Sequence, residues 1–356
     1  MNSNQAALED RKMRDKPRSR SVLVTGGAGY IGSHCCVELI NAGYRPVILE
    51  NFSNAHPTVV DRIETITGHR PPVVVADVRD QTAIAATMTE FGVGAVIHFA
   101  ALKAVAESVQ LPLAYYDVNV AGTVALLAAM KQLQIKNFVF SSSATVYGTP
   151  EFLPVRESSS RSATNPYGRS KIIVEDILSD LFSAEGDWQI AVLRYFNPAG
   201  AHESGLIGED PIGIPNNLLP FVAQVAAGRR EWLSIFGDNY PTRDGTGVRD
   251  FIHVVDLAKG HIAALEHLMS GPRMVTLNLG TGSGYSVLEL VHAFSAASGR
   301  DIPYRIEPRR AGDIAEIYAD ASHAKASLGW ESKMTLADMC RDTWRWQSKN
   351  PNGYER

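Results

Sequence analysis

Cysteine is scarce in this chain: 356 residues contain three, Cys35, Cys36 and Cys340. Three thiols cannot build a disulfide framework, and adjacent Cys35 and Cys36 lie in an apolar, helix-like stretch where thiols pack as small hydrophobes rather than bind metal. A cytoplasmic compartment is therefore expected, and no metal. An excess of one charge is also missing. With 34 basic and 38 acidic residues the net charge is -4, so the basic footprint of a nucleic-acid binder is absent. No apolar run approaches the ~18 residues of a membrane-spanning helix, and Met1 to Arg20 is polar and charged, without an apolar signal-peptide centre. No membrane partner is expected, and residues 1–20 read as a disordered tail. What is present is an ordinary globular balance, 45% hydrophobic and 20% charged, in a length that suits two domains sharing one cleft.

The first half alternates strand and helix. Ser21-Val22-Leu23-Val24 ends at Thr25, Gly26-Gly27-Ala28-Gly29-Tyr30-Ile31-Gly32 follows, and an apolar-periodic helix runs to about Asn41. The glycines satisfy both G-x-x-G-x-x-G (Gly26, Gly29, Gly32) and G-x-G-x-x-G (Gly27, Gly29, Gly32). Either spacing brings a pyrophosphate against a helix N-terminus, where free N–H groups and the dipole favour anions. The next strand, Arg45 to Leu49, finishes at Glu50, eighteen positions beyond Gly32, where a carboxylate grips the adenosine ribose. That carboxylate would repel a ribose phosphate, and no arginine follows in Asn51-Phe52-Ser53, so the reading is NAD rather than NADP. Further strands run from Pro72 to Ala76, ending at Asp77-Val78, and from Gly94 to Phe99, ending at Ala100-Ala101. Asp77 and Val78 fall where loops cover the adenine, and Phe99 to Lys103 where the middle of the dinucleotide passes. His98 reads as a hydrogen-bonded core histidine. A long helix, Pro112 to Gln134, carries Asn119; the strand from Lys136 to Phe140 ends in Ser141-Ser142-Ser143; a sixth strand is Gln189 to Arg194. Continuous apolar strands of this kind predict an α/β fold of Rossmann type, a doubly wound parallel sheet buried on both faces.

Tyr167 and Lys171, in Asn165-Pro166-Tyr167-Gly168-Arg169-Ser170-Lys171, stand four residues apart at a predicted helix start, one turn apart on one face. An ammonium near a phenol favours the phenolate and so makes it usable as a base at neutral pH. Ser143 is delivered to the same sheet edge. Ser141 reads as a residue that caps or turns the chain. After Arg194 the alternation ends. A turn-rich loop, Glu203 to Pro211, leads to interleaved helices (Leu218 to Gly228, Val255 to Met269, Val287 to Ser298) and strands (Leu233 to Phe236, Asp250 to Val254, Met274 to Asn278), predicting a smaller α/β lobe. Arg249 and the Arg309-Arg310 pair are candidates for a diphosphate, which guanidinium forks match.

These residues resemble the extended short-chain dehydrogenase/reductase family and, more narrowly, its UDP-glucose 4-epimerase branch. The resemblance is carried by Val24 to His34, His98 to Val105, Ser141 to Gly148, Leu193 to Pro198, Gly213 to Leu218 and Asp244 to Val254, and it extends from about Ser21 to Tyr354. It implies that Tyr167 is the base, that Lys171 is its electrostatic partner and a ligand of the nicotinamide ribose, and that Ser143 contacts the reacting sugar oxygen. On the same ground it implies NAD contacts from Gly26, Gly29, Tyr30, Ile31, Gly32, Glu50, Asn51, Asp77, Val78, Phe99, Ala100, Ala101, Lys103, Asn119, Ser141, Tyr195 and Phe196. For a UDP-sugar it implies Arg249 and Arg310 at the diphosphate, Asp313 at the ribose, Ser234-Ile235-Phe236 at uracil, and Asn197, Asn217, Leu218, Lys103, Ala144 and Thr145 nearby. Glu50 and Ala101 depart from the family pattern, which usually has aspartate and glycine there. Ile317 stands where bulk restricts the sugar's 2-substituent. The resemblance further implies residues 21–196 as an NAD-binding domain with later segments, about 237–263, crossing back, residues 197–350 as mainly UDP-sugar-binding, and a homodimer. The expected reaction interconverts UDP-galactose and UDP-glucose, with N-acetylated UDP-hexosamines as the alternative substrates. The 4,6-dehydratases of the same fold need an acid pair after the serine, where this chain has Ala144-Thr145.

Overall fold

The computed structural model describes residues 20–354 apart from 272 and 311. The expected tail therefore lies outside the described residues up to position 19; the carbonyl of Arg20 accepts a hydrogen bond from the Arg45 amide at 2.9 Å. Strands β1 (Ser21–Thr25), β2 (Arg45–Glu50), β3 (Val73–Val75), β4 (Ala95–His98), β5 (Asn137–Ser143) and β6 (Gln189–Tyr195) fall where the apolar runs place them. The second half contributes β7 (Asn197–Ala199), β8 (Leu233–Phe236), β9 (Val248–Arg249), β10 (Phe251–His253), β11 (Arg273–Leu279), β12 (Tyr285–Ser286), β13 (Tyr304–Glu307) and β14 (Glu316–Ile317).

Seven of these form one parallel sheet in the order β11-β6-β5-β4-β1-β2-β3. Strand order reverses between β1 and β4, and open sheets of this kind bind ligands in the crevice at that reversal, beyond the strands' carboxyl ends. Because successive side chains point to opposite faces, each strand feeds two cores. Val22, Val24, Ile48, Ile97 and Leu193 pack on one face with Cys35, Cys36 and Leu39 of the helix Tyr30–Asn41 and with Leu257 and Leu265 of the helix Val254–Leu268. Leu23, Leu49, Val96, Phe138 and Val192 pack on the other, with Ile84, Leu126, Met130, Val174 and Leu178 from three further helices. All three thiols are free and buried, and burial pushes the Cys340 thiol up to about 12.

Two features differ from expectation. The run Met274 to Asn278 was expected in the smaller lobe, but β11 extends the main sheet, pairing Leu277 with Leu193 of β6. Its apolar pattern fits either place, and only the long-range pairing decides. The chain segment Pro112–Gln132 is also helical for 21 residues and apolar enough, by length and composition, to cross a membrane. It is a core helix here, burying Leu126, Leu127 and Met130, and it contains a π-helical stretch, Tyr116–Ala121, that carries Asn119. The smaller lobe has its own core, in which Leu219, Val222, Leu233, Ile235, Phe251, Leu290, Phe294 and Met339 meet.

Candidate active site

The glycine turn follows β1 directly. Gly26 has φ +70°, and a Cβ there would lie 2.8 Å from the Ala100 amide nitrogen; a Cβ on Gly32 would lie 2.2 Å from the Gly26 carbonyl oxygen. Only hydrogen fits at both positions. The helix beginning at Tyr30 therefore starts flush against β1 and β4, leaving a cradle of backbone that suits a pyrophosphate. Tyr30 donates to the Gly200 carbonyl at 2.6 Å and so ties the turn to the second half. Glu50 is buried at the end of β2 and accepts from the amides of Asn51 and Phe52 at 3.1 and 3.2 Å. Burial raises its carboxyl while those amides pull it down. Asp77 holds Asn51 Nδ2 at 3.0 Å and Arg79 Nε at 2.7 Å, and the guanidinium keeps its carboxyl well below the usual range. Val78 is buried against Gly122, where a Cβ would meet it at 2.7 Å.

His98 is structural, as expected. It bridges Thr25 Oγ1 and Thr123 Oγ1 at 2.7 and 2.9 Å, and burial lowers it to about 3, so it is neutral at working pH. Beyond it, Asn119 accepts from the Leu102 amide at 2.8 Å and donates to Ser170 Oγ at 3.0 Å. A residue of the π-helical stretch thus joins the Phe99 to Lys103 loop to the helix of Tyr167.

That helix, Pro166–Ala184, begins as the sequence dictates: the Asn165 side chain accepts from the Gly168 amide at 2.9 Å, and Pro166 occupies the first turn. Tyr167 is 9% exposed and Lys171 5%. Lys171 Nζ donates to the Ser141 carbonyl at 2.8 Å and lies 5.9 Å from the centre of the Tyr167 ring. Ser143, at the end of β5, caps a short turn by accepting from the Thr145 amide at 3.2 Å. Ser141 Oγ is hydrogen-bonded to the Tyr195 hydroxyl. The expected electrostatics need one correction. Burial holds the Tyr167 phenol above its ordinary value, opposed by the Ser143 hydroxyl, rather than Lys171 holding it below. Burial also brings Lys171 down to about 7, against the pull of Glu175. The two groups thus titrate farther apart than in water, the ammonium losing its proton well before the phenol does.

The second half supplies the other wall. Lys103 Nζ lies 3.1 Å from Glu209 Oε1, which also accepts from Asn217 Nδ2 at 2.7 Å. Glu209 thus unites two expected ligand residues and went unnoticed in the sequence, where it is one charge in a turn-rich loop. Arg249 donates to the Val248 carbonyl at 2.9 Å; burial lowers its guanidinium while Asp313 opposes that. Arg310 stacks 3.6 Å over the Phe236 ring. Ile235 is 1% exposed in the lobe's core, so only its backbone can meet a ligand, whereas Ser234 and Phe236 face the other side of β8. Asn197 pairs with Phe251 in a two-stranded parallel sheet and donates its amide to the Asp250 carbonyl at 3.0 Å. Phe196, Ala144 and Ile317 share one buried cluster, while Leu218 is half-buried at the start of its helix.

A dinucleotide cradle at the strand reversal, with a serine, a tyrosine and a lysine at the next strand ends, defines a Rossmann-type enzyme of the short-chain dehydrogenase/reductase class. Residues 23–343 match the family model described as GDP-mannose 4,6 dehydratase. The chain belongs to that family and, within it, to the UDP-glucose 4-epimerases. It is 56% identical to the UDP-glucose 4-epimerase of Bacillus subtilis, over 94% of this chain and 99% of that one. The UDP-glucose-4-epimerase of Stenotrophomonas maltophila, solved with NAD and a formylated UDP-arabinopyranose, superposes with a TM-score of 0.91 at 55% identity, covering 93% of this chain and 98% of its own. That of Bifidobacterium longum, solved with NAD+ and UDP, gives 0.91 at 52% identity, covering 94% and 100%.

Proposed function

We propose that this chain is an NAD-dependent UDP-glucose 4-epimerase that interconverts UDP-galactose and UDP-glucose. One observation carries the reading: Ser143, Tyr167 and Lys171 converge beyond the end of β5, one strand removed from β1 and its glycine cradle. Tyr167 takes the proton of the sugar C4 hydroxyl, with Ser143 as the adjoining hydroxyl, and Lys171 stabilises the phenolate. NAD, when bound, supplies the acceptor and donor of hydride. Arg249, Arg310 and Asp313 hold the uridine diphosphate, so the 4-keto sugar turns about its link to the diphosphate and is reduced on its opposite face. Tyr167 then returns the proton. Retaining the cofactor through the cycle makes the reaction redox-neutral.

N-acetylated UDP-hexosamines are the weaker reading, because Ile317 is packed with Ala144, Val146 and Phe196 where a 2-substituent would need room. Three buried free thiols support a cytosolic enzyme, and the apolar outer face described below supports a homodimer. Purified protein given UDP-galactose and no added NAD is expected to form UDP-glucose. Tyr167→Phe is expected to lose at least ~10²-fold in turnover, the scale of general acid–base catalysis, while keeping its NAD. Wild-type protein that makes no UDP-glucose even with NAD supplied, or a fully active Tyr167→Phe, would sink the proposal.

A further inference from the structure

A carboxylate with no assigned part in this chemistry lies directly beneath the site. Glu175 stands four residues beyond Lys171, one turn along the same helix, and is 4% exposed. Its Oε1 accepts from Ser142 Oγ at 2.6 Å and Arg194 Nε at 3.0 Å. Its Oε2 accepts from Arg194 Nη2 at 2.6 Å and Arg161 Nη1 at 3.3 Å. Two guanidinium groups and a hydroxyl fix the carboxylate in place. Arg194 is anchored in turn, donating to Tyr147 Oη at 3.1 Å and the Glu157 carbonyl at 2.9 Å, while Tyr147 donates to Asn278 Oδ1 at 2.6 Å.

Two features of this arrangement point at the reaction rather than at stability alone. A buried ion pair is weak evidence for stability, since apolar residues of like volume often serve as well. Yet Ser142, the residue that Glu175 grips, lies between Ser141, whose carbonyl receives the Lys171 ammonium, and Ser143, whose hydroxyl adjoins Tyr167. Lys171 itself donates to that carbonyl rather than to a carboxylate, so a negative charge one turn away bears directly on its protonation. The other groups facing it are Tyr167 on its own helix, neutral His98 from β4 and the Phe140 ring from β5. Facing Glu175 from neighbouring elements are Arg194, Arg161 and the Tyr147 phenol, which burial raises to about 12.

We infer that Glu175, clamped by Arg194, is a positioning residue that keeps Lys171 an ammonium and fixes the β5 terminus bearing Ser141 and Ser143. The inference rests on the proposed roles of Lys171 and Tyr167. Glu175→Gln keeps the shape and an acceptor for Ser142 but removes the charge. It also leaves the Arg194 guanidinium buried without its counter-ion and can unfold the protein, so Glu175→Gln/Arg194→Met is the companion variant. Two measurements on the NAD-loaded enzyme test it. The first is a 13Cε NMR titration of Lys171, its resonance identified by its loss in Lys171→Met, which needs no turnover. Lys171 is expected to titrate about one pH unit lower in each folded variant, the low end of what a nearby carboxylate does. The second is the pH profile of UDP-galactose turnover, whose alkaline limb is expected to move down by the same amount. An unmoved Lys171 titration, or activity reduced equally at every pH, overturns the inference. Wild-type enzyme without turnover would instead defeat the proposed function, leaving the NMR result to decide the protonation of Lys171.

Discussion

Lys171 donates to a single backbone carbonyl, and burial brings it down to about 7 from an ordinary 10.5. A lysine so placed costs stability whenever it must be charged in the folded state. The sign follows from proton counting. Between about pH 7 and 10.5 the unfolded chain binds the lysine proton and the folded chain does not, so this residue makes the fold more stable as pH rises through that window. Below about 7 both states are charged and the cost is complete. Lys171→Met removes the dependence. It also forfeits one hydrogen bond to the Ser141 carbonyl, a pH-independent loss of about 1 kcal/mol. Thermal melts of wild type and Lys171→Met without ligand are therefore expected to differ between pH 6 and pH 10, favouring the variant by a few degrees more at pH 6. Parallel melting curves across that range would show that burial does not govern this lysine. On the proposed function that cost has a use: a cation is needed beside Tyr167 when the phenol gives up its proton, and the same burial that penalises the charge strengthens its pull on a phenolate.

The helix Pro166–Ala184 turns those two residues into a pair, and its N-terminus is legible in the sequence: an asparagine cap, a proline in the first turn, then Tyr167 and Lys171 one turn apart. The Asn165 side chain satisfies the Gly168 amide, one of the first-turn donors with no partner inside the helix. Asn165→Ala is expected to lower stability by about 1 kcal/mol in urea denaturation and to reduce turnover, because fraying begins at the turn that bears Tyr167. Asn165→Ser should restore both; an alanine variant of full stability and activity would show that packing alone holds the turn. The glycine turn was legible for a related reason, since short-range geometry at Gly26 and Gly32 admits nothing larger than hydrogen. Elements that depend on distant partners were not. β11 is an apolar run whose sheet is chosen only by its register with β6, and the π-helical stretch at Tyr116–Ala121 reads in sequence as ordinary helix. Glu175 and Arg194, nineteen positions apart, looked like any two charges until one helix and one strand brought them together. The same holds for Lys103 and Glu209, separated by 106 positions.

At the scale of the molecule, one outer face is unlike the rest of the surface. Val105 and Val109, one turn apart on one helix, and Leu113, near the start of the next helical segment, leave large apolar side chains in the open, Leu113 at 81% exposure. These helices pack against the helix of Tyr167, so the face lies directly outside the site. Large apolar side chains left in the open on neighbouring helices suit an interface, and a symmetric dimer would cover them with its own copy. Burying one leucine is worth about 2 kcal/mol, and a two-fold interface counts each residue twice, so losing Leu113 from both copies removes about 4 kcal/mol. An aspartate adds the cost of a buried charge. Leu113→Asp is therefore expected to weaken dimerisation at least ~10³-fold. In sedimentation equilibrium at micromolar concentration, wild type should run at the mass of two chains and the variant at the mass of one. A monomeric wild type, or a variant still dimeric under those conditions, would place the interface elsewhere. Because Asn119 on the covered segment donates to Ser170, whose hydroxyl donates to the Tyr167 carbonyl on the helix beneath, a dimer built this way would brace each active site through its partner's outer helices.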